Sequence, residues 1–430
     1  MHAEIISIGD ELTSGQRLDT NSQWLSQRLG ELGVPVRYHT TVADDLEANV
    51  AVFRHAVGRA DVVISTGGLG PTADDLTREA LATMLGVQLK LDPISLEHIR
   101  ALFAHRKRVM PEANVVQAMF PEGSRTIPNP HGTAPGIDVI VPPPLGRPSR
   151  VFALPGVPAE MQEMWQTSVV SRLVEQGAGR EVIRHRRIKC FGVGESDLEQ
   201  MLPDLIRRGR VPPVGITVSD ATITLRITAS GRTPEECFSS MAPTEAVIHE
   251  CLGSLVFGYE DDELPDVVIR LLAERSQTLA TVEWGTAGLI AQWLGDVPTS
   301  EAVIRAGLIV RNIATLSDVL RLPAGAQQAE GAGNGDVAAA MAVAGRELAN
   351  ADYGLAIGKF PPCGAGVPPA AAMQAEHLHH NEAAHYSLAL ASSDGVMTRS
   401  SPFAAHPAVL KPRAAKQALN LLRLQLIKQP

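Results

Sequence analysis

Residues 65–77 read Ser65-Thr66-Gly67-Gly68-Leu69-Gly70-Pro71-Thr72-Ala73-Asp74-Asp75-Leu76-Thr77, and the first half of the chain is organised around them. They follow Asp61-Val62-Val63-Ile64, whose β-branched run predicts a buried strand of a parallel sheet. Beyond them Leu76, Ala80, Leu81, Met84 and Leu85 keep helical spacing up to a stop at Gly86. Thr72 with Asp75 has the spacing of a capping box, which predicts the helix start there. Gly67, Gly68 and Gly70 let the backbone approach a ligand closely and leave amide N–H groups free. A helix N-terminus beside such a loop attracts anions through its dipole. Asp74 and Asp75 stand alongside, where carboxylates could hold a divalent metal against a phosphate. The plainer reading is a joint whose glycines make the turn and whose acids cap the helix. Glycines and paired acids together favour a phosphate or nucleotide site.

Working outward, Ile5-Ile6-Ser7-Ile8 predicts a first strand ending at Gly9-Asp10-Glu11. A helix is expected from about Asn21, with Leu25, Leu29 and Leu32 on one face and Gly33 as its stop. Residues 34–42 read as a second strand, and Leu46, Val50, Phe53 and Val57 as one face of a second helix. Such alternation implies a parallel sheet with right-handed crossovers. Ligands of these sheets bind beyond the carboxyl ends of the strands. Gly9, Asp10, Glu11, Asp44 and the glycine loop should therefore meet at one edge, with Thr66 at its strand end. Two further small-residue loops are expected to frame the same pocket. One carries Asn129, Gly132, Thr133 and Gly136; the other carries Pro155 and Gly156. Acids beside an anion loop make a metal-assisted phosphoryl site plausible.

The chain has 430 residues, enough for two or three domains with real cores. Its 45% hydrophobic, 20% charged and 4% aromatic content is that of an ordinary globular protein. A net charge of -9 argues against a general binder of nucleic acid or anionic membrane. Cys190, Cys237, Cys251 and Cys363 lie far apart without CxxC spacing, which suits a reducing cytoplasm. With neither a basic leader before an apolar run nor a membrane-length apolar stretch, a cytoplasmic protein is expected.

GDEL near the start, TGGLGPTADD, NPHGTAPG and LPGVPAEM, in that order, resemble the CinA (competence/damage-inducible) family over residues 1 to about 175. The resemblance implies a three-layer α/β domain with a parallel sheet over residues 1–178, related to the molybdopterin-binding MoaB/MogA fold. It also implies hydrolysis of ADP-ribose to AMP and ribose 5-phosphate with a divalent metal, namely magnesium, manganese or cobalt. The second acid of the glycine-loop motif, critical in the MoaB/MogA relatives, falls at Asp75. On that footing Asp10, Asp74 and Asp75 are the expected catalytic and metal-binding residues.

Residues 179–260 predict the order β-α-β-β-α-β of a small two-layer α+β domain, similar to the family's KH-like domain. Ser196 with Glu199 is read as a helix cap, residues 219–221 as a hairpin turn, and Thr233-Pro234-Glu235-Glu236 as a helix start. The basic runs Arg184, Arg186, Arg187, Lys189 and Arg207, Arg208, Arg210 are balanced by acids, and no GxxG clamp is present. Nucleic-acid binding is therefore not expected; a spacer or dimer-contact role is.

Residues 261–430 resemble the family's C-terminal domain, which deamidates nicotinamide mononucleotide, and Ala351-Asp352-Tyr353-Gly354-Leu355-Ala356-Ile357 matches its ADYGLAI strand. The family's AESCTGG turn aligns with Val282-Glu283-Trp284-Gly285-Thr286-Ala287-Gly288, which puts Trp284 where the nucleophilic serine belongs. The family's tyrosine and lysine fall near Arg311 and Leu316, and Gly358-Lys359-Phe360-Pro361-Pro362 replaces its glycine-rich segment. Without a hydroxyl nucleophile and its base, covalent deamidation by that route fails. Residues 322–336 and 361–384 are expected to be poorly ordered, the second with His377, His379 and His380 as a weak metal-binding prospect. The helix expected over 414–427 should turn Arg423 and Lys428 outward, packed on its own domain or on a second copy.

Three readings remain at the level of sequence. The first is a metal-dependent nucleoside-pyrophosphate hydrolase in the N-domain, with a small-molecule nucleotide as partner, a homodimer as assembly and no membrane association. The second is a regulatory protein that only binds a nucleotide or pterin, and the third is pterin chemistry. Nicotinamide mononucleotide deamidation stands last because of Trp284.

Overall fold

In the computed structural model of the chain, β1 (Ala3–Ile8) is buried along its whole length, as a strand covered on both faces must be. Described residues are 1–142, 148–202, 204–207, 209–312, 334–361, 385–403 and 407–428. Contacts divide the chain into two units, residues 1–184 with 228–240, and residues 185–227 with 241–430.

In the first unit, β1 is followed by α1 (Asp10–Thr13), α2 (Thr20–Glu31), β2 (Val36–Val42), α3 (Leu46–Arg59), β3 (Val62–Thr66) and α4 (Thr77–Leu85). Then come β4 (Leu89–Leu91), α5 (Pro93–His105), β5 (Met119–Pro121), β6 (Arg125–Ile127), β7 (Gly136–Val141) and β8 (Ser149–Leu154). A last helix runs from α6 (Pro158–Met164) through a π turn at Trp165–Val169 into α7 (Val170–Glu175). Sheet order is β2-β1-β3-β8-β7-β6. The first four strands are parallel, whereas β7 runs antiparallel to both its neighbours, β8 and β6. The parallel sheet expected from sequence is thus mixed at one edge. The link from β7 to β8 is too short for a crossover, and a short link joins only antiparallel neighbours.

Strand alternation sorts the core into two layers. Ile5, Ile64 and Phe152 join Leu25, Leu29 and Trp165 on one face. Ile6, Val63 and Val151 join Phe53 and Leu81 on the other. Period-two burial on both faces gives the helix–sheet–helix sandwich.

Further along the chain, β9 (Val182–Cys190), α8 (Glu195–Met201), β10 (Val214–Ser219), β11 (Thr222–Gly231), α9 (Pro234–Leu252) and β12 (Val256–Tyr259) follow. Their sheet runs β10-β11-β9-β12. The hairpin closes on Asp220 and Ala221 at φ 46° and 61°, the pattern of a type I′ turn. Thr233 caps α9 as expected, its hydroxyl accepting from the Glu236 amide at 3.2 Å. Ser196 does not cap α8: Gly194 is the N-cap and contributes no side chain, so Ser196 already lies inside the first turn. In the basic run, Arg187 pairs with Glu260 and Asp261, Arg186 with Glu245, and Lys189 with Glu263.

The second unit continues with α10 (Leu264–Glu274), β13 (Leu279–Glu283), α11 (Leu289–Gly295), β14 (Ile304–Ile309), α12 (Asn334–Leu348), β15 (Tyr353–Ile357), β16 (His385–Ser392), β17 (Gly395–Pro402) and α13 (Pro407–Lys428). Its sheet order is β14-β13-β15-β16-β17. Ala356, Ala389 and Ala391 face Ala338, Met341 and Ala342 of α12, while Leu355, Leu388 and Leu390 join Leu272, Leu419 and Leu422. Lys428 is exposed, but Arg423 is not turned outward. It is 3% exposed and donates to Asn420 Oδ1 and to the backbone carbonyls of Val256 and Ser254. Those carbonyls need donors that no helical pattern announces. Asn334–Asp336 open α12; the rest of 322–336, Leu316, Cys363 and the 362–384 histidine segment lie outside the described residues. Among the described residues no helix is long and apolar enough to cross a membrane.

Candidate functional site

A cleft of about 590 Å³ lies at the carboxyl ends of β1, β3 and β8 in the first unit. The glycine loop forms one wall. Gly67 and Gly68 sit at φ 107° and 65°, in the left-handed region that side chains rarely adopt. A Cβ on Gly67 would collide with the Ile8 carbonyl, so the loop is built from glycine for space as well as conformation. The Gly67 amide donates to Leu154 O at 3.1 Å. The amides of Gly68 and Leu69 find no acceptor among the described residues, leaving two donors for an anion.

Asp75 braces this loop. Its carboxylate accepts from the Gly70 amide at 2.7 Å, the Thr72 amide at 2.9 Å and the Thr72 hydroxyl. Helix α4 starts only at Thr77, with Leu76 at its N-cap and no side-chain cap. The Thr72–Asp75 pair therefore closes the loop rather than capping the helix, because its hydrogen bonds turn back onto Gly70. From behind, the buried Arg78 donates to the carbonyls of Leu69 at 2.7 Å and Gly70 at 3.3 Å. Burial pulls the Arg78 guanidinium down to about 10, opposed by the nearby charge of Asp75, so it stays cationic at neutral pH.

Glu11, Asp44 and Asp74 line the cleft as well, whereas Asp10 lies outside the lining, beside Asp44. Asp10 and Asp44 exchange backbone-to-carboxylate hydrogen bonds, Asp10 N to Asp44 Oδ2 at 3.0 Å and Asp44 N to Asp10 Oδ1 at 3.1 Å. Burial raises the Asp44 carboxyl above its ordinary range, and the charges of Asp10, Asp74 and Glu11 raise it further against the pull of the Asp10 amide. Among the described residues no three His, Cys, Asp or Glu side chains converge as a ready metal cage. The donors are all oxygen, however, and burial together with the neighbouring acids disfavours ionisation of Asp44. That fits magnesium or a similar hard ion, which binds through one or two carboxylates plus substrate phosphates and keeps several waters. Asp75 fits less well, since both its oxygens already serve the loop.

Of the residues singled out by sequence, Gly9, Glu11, Asp44, Gly67, Gly68, Gly70, Asp74, Asp75, Thr133, Pro155 and Gly156 line the cleft. Thr66 lies in a small adjoining recess, where its hydroxyl donates to Pro155 O and accepts from Asn21. Asn129, Gly132 and Gly136 stand behind the wall. Asn129 accepts from the Gly132 amide at 2.8 Å and donates to Ala134 O and Glu160, and a Cβ on Gly136 would press on Ala153 O. Sequence reasoning missed Arg17, Gln117 and Glu160 in the lining, and Arg78 behind it. Only Glu160 carried a signal, as an acid in the first turn after Pro158.

In the second unit, the turn after β13 is closed by Glu283. Its buried carboxylate accepts from Thr286 Oγ1 and the amides of Gly288, Ile290 and Ala291, at 2.6–3.2 Å. Trp284 is half-buried with Lys359 Nζ 5.5 Å from its ring. A Cβ on Gly285 would run into Phe360.

Three family models match the chain: a probable molybdopterin binding domain over residues 4–175, the KH domain of damage-inducible protein CinA over 185–258, and the CinA C-terminal domain over 261–426. A CinA-like protein from Frankia casuarinae is 36% identical over 438 residues, covering 100% of this chain and 97% of that protein. Among solved structures, CinA from Thermoplasma acidophilum is 33% identical, with a TM-score of 0.36, over 40% of this chain and 98% of that one. The molybdopterin biosynthesis enzyme MoaB from Thermus thermophilus is 22% identical, with a TM-score of 0.28, over 41% of this chain and 92% of that one.

Proposed function

This chain belongs to the CinA family, and from that premise we propose that its N-domain hydrolyses ADP-ribose, or a similar nucleoside pyrophosphate, to AMP and ribose 5-phosphate with the help of a divalent metal. One observation carries the reading: a single cleft is lined by Gly68 and Leu69, whose amides have no acceptor among the described residues, and by Glu11, Asp44 and Asp74, with the Asp44 carboxyl raised by burial and then by its acidic neighbours. Hydrolysis forms a bond from a water oxygen to one phosphorus and breaks that phosphorus's bond to the bridging oxygen, which leaves with the second phosphate. The amides of Gly68 and Leu69 receive charge on a phosphate oxygen, where fixed donors act most strongly. One or two of Asp44, Asp74 and the adjacent Asp10 would hold the cation, and Asp75 with Arg78 keeps the loop amides in place. When bound, the cation lowers the pKa of a water and offsets phosphate charge.

The test is AMP release from ADP-ribose by the full chain with magnesium, manganese, cobalt or no metal. Metal-dependent AMP is expected. Asp74→Asn should lower it about tenfold or more, in the range of a lost charged contact. Asp75→Asn should lower both turnover and melting temperature, because the loop loses its brace. A folded protein that releases no AMP with any of the three metals sinks the proposal.

The commitment of both Asp75 oxygens to the loop favours a second reading, in which the cleft binds the nucleotide for regulation without turning it over. Calorimetric binding of ADP-ribose with no product formed would select it.

A further inference from the structure

The cleft wall carries five carboxylic side chains, Glu11, Asp44, Asp74, Asp75 and Glu160, against one cation, Arg17, among the described residues. A phosphate ester entering such a wall meets like charge and needs a positive partner besides any metal it brings. Arg78 cannot serve, because its guanidinium is buried behind the loop on the carbonyls of Leu69 and Gly70.

Arg17 is placed differently. Its amide donates to Glu11 O at 3.0 Å, which fixes the residue beside the segment that carries Asp10 and Glu11. Its side chain is exposed. It also makes no hydrogen bond or ion pair with any described residue, although five acids share the wall. Arg17 lines both the main cleft and the recess beside Asn21 and Thr66. A guanidinium with a free fork of donors matches a phosphate bidentately, as a lysine does not.

We infer that Arg17 anchors a phosphate group of the ligand, so that the cleft selects diphosphate esters, one phosphate on the Gly68 and Leu69 amides and the other on Arg17. This deepens the functional reading above and rests on it only in taking the ligand to be a phosphate compound.

The test is calorimetric titration of the full chain with inorganic pyrophosphate and with ADP-ribose, in magnesium, for wild type, Arg17→Ala and Arg17→Lys. Arg17→Ala should weaken both ligands about tenfold or more, with Arg17→Lys in between and melting temperatures unchanged. Pyrophosphate bound equally by wild type and Arg17→Ala overturns the anchor, as does a wild type that binds neither ligand. If Arg17→Ala loses affinity while the wild type releases no AMP from ADP-ribose, hydrolysis falls and the anchor stands.

Discussion

Glu4 shows what a single residue can conceal. It lies in an apolar strand with a fully buried side chain, yet Arg59 donates two hydrogen bonds to it, at 2.7 and 2.8 Å, and Thr40 a third. Burial by itself would push its carboxyl up; the bonds from Arg59 and Thr40, with the charges of Arg59 and His55, outweigh it and hold the group below the ordinary glutamate range. A depressed folded value means stability that is full above the unfolded value and lost as pH falls through the folded one. Glu4→Gln should therefore cost about 1–3 kcal/mol at pH 7. The gap to wild type should begin to narrow as pH falls below about 4, near the unfolded value, and close only below the depressed folded value, as checked by melting curves of both proteins across pH. Sequence showed an acid on a strand but could not supply Arg59, fifty-five positions away. Arg78 was hidden by a nearer turn of the chain: its partners, the carbonyls of Leu69 and Gly70, lie on the loop before its own helix.

Among elements, α13 carries the clearest correction. Its apolar face was legible, with Leu419, Leu422 and Leu426 in the core, but Arg423 was not. Burial draws the Arg423 guanidinium down to about 10, partly countered by Cys190, leaving it charged at neutral pH and bonded to carbonyls just before and within β12. Arg423→Met keeps the bulk and removes the donors. It should destabilise the protein by about 2–3 kcal/mol through the orphaned carbonyls, read as a lower thermal transition. Helical period says which side of a helix is apolar. It cannot say that unpaired strand carbonyls will claim a cation from that side.

For the whole molecule the question is how activity is shared along the chain. Trp284, with Lys359 over its ring, and Gly285, with Phe360 against it, stand in the turn after β13, and Glu283 accepts from the amides of Gly288, Ile290 and Ala291. Purified protein should release no ammonia from nicotinamide mononucleotide, measured beside the AMP assay on the same sample. Ammonia at a rate comparable with AMP would return catalysis to the second unit.

Sequence by itself determined the alternation of strands and helices in the N-domain, the position of the glycine loop after β3, and the presence of Trp284, a side chain without a nucleophilic hydroxyl, in the turn after β13. Each is a local pattern, set by side-chain period or by what one residue type can do chemically. The tertiary structure decided which loop residues face the cleft and which, like Asn129 and Gly136, only support it. It turned Asp75 from a cap into a loop brace, buried Arg423 and left Arg17 unpaired. Some of the deciding partners are near in sequence, as Gly70 and Thr72 are to Asp75, and some far, as Ser254 and Val256 are from Arg423; a buried donor or acceptor takes whichever partner the fold brings within reach.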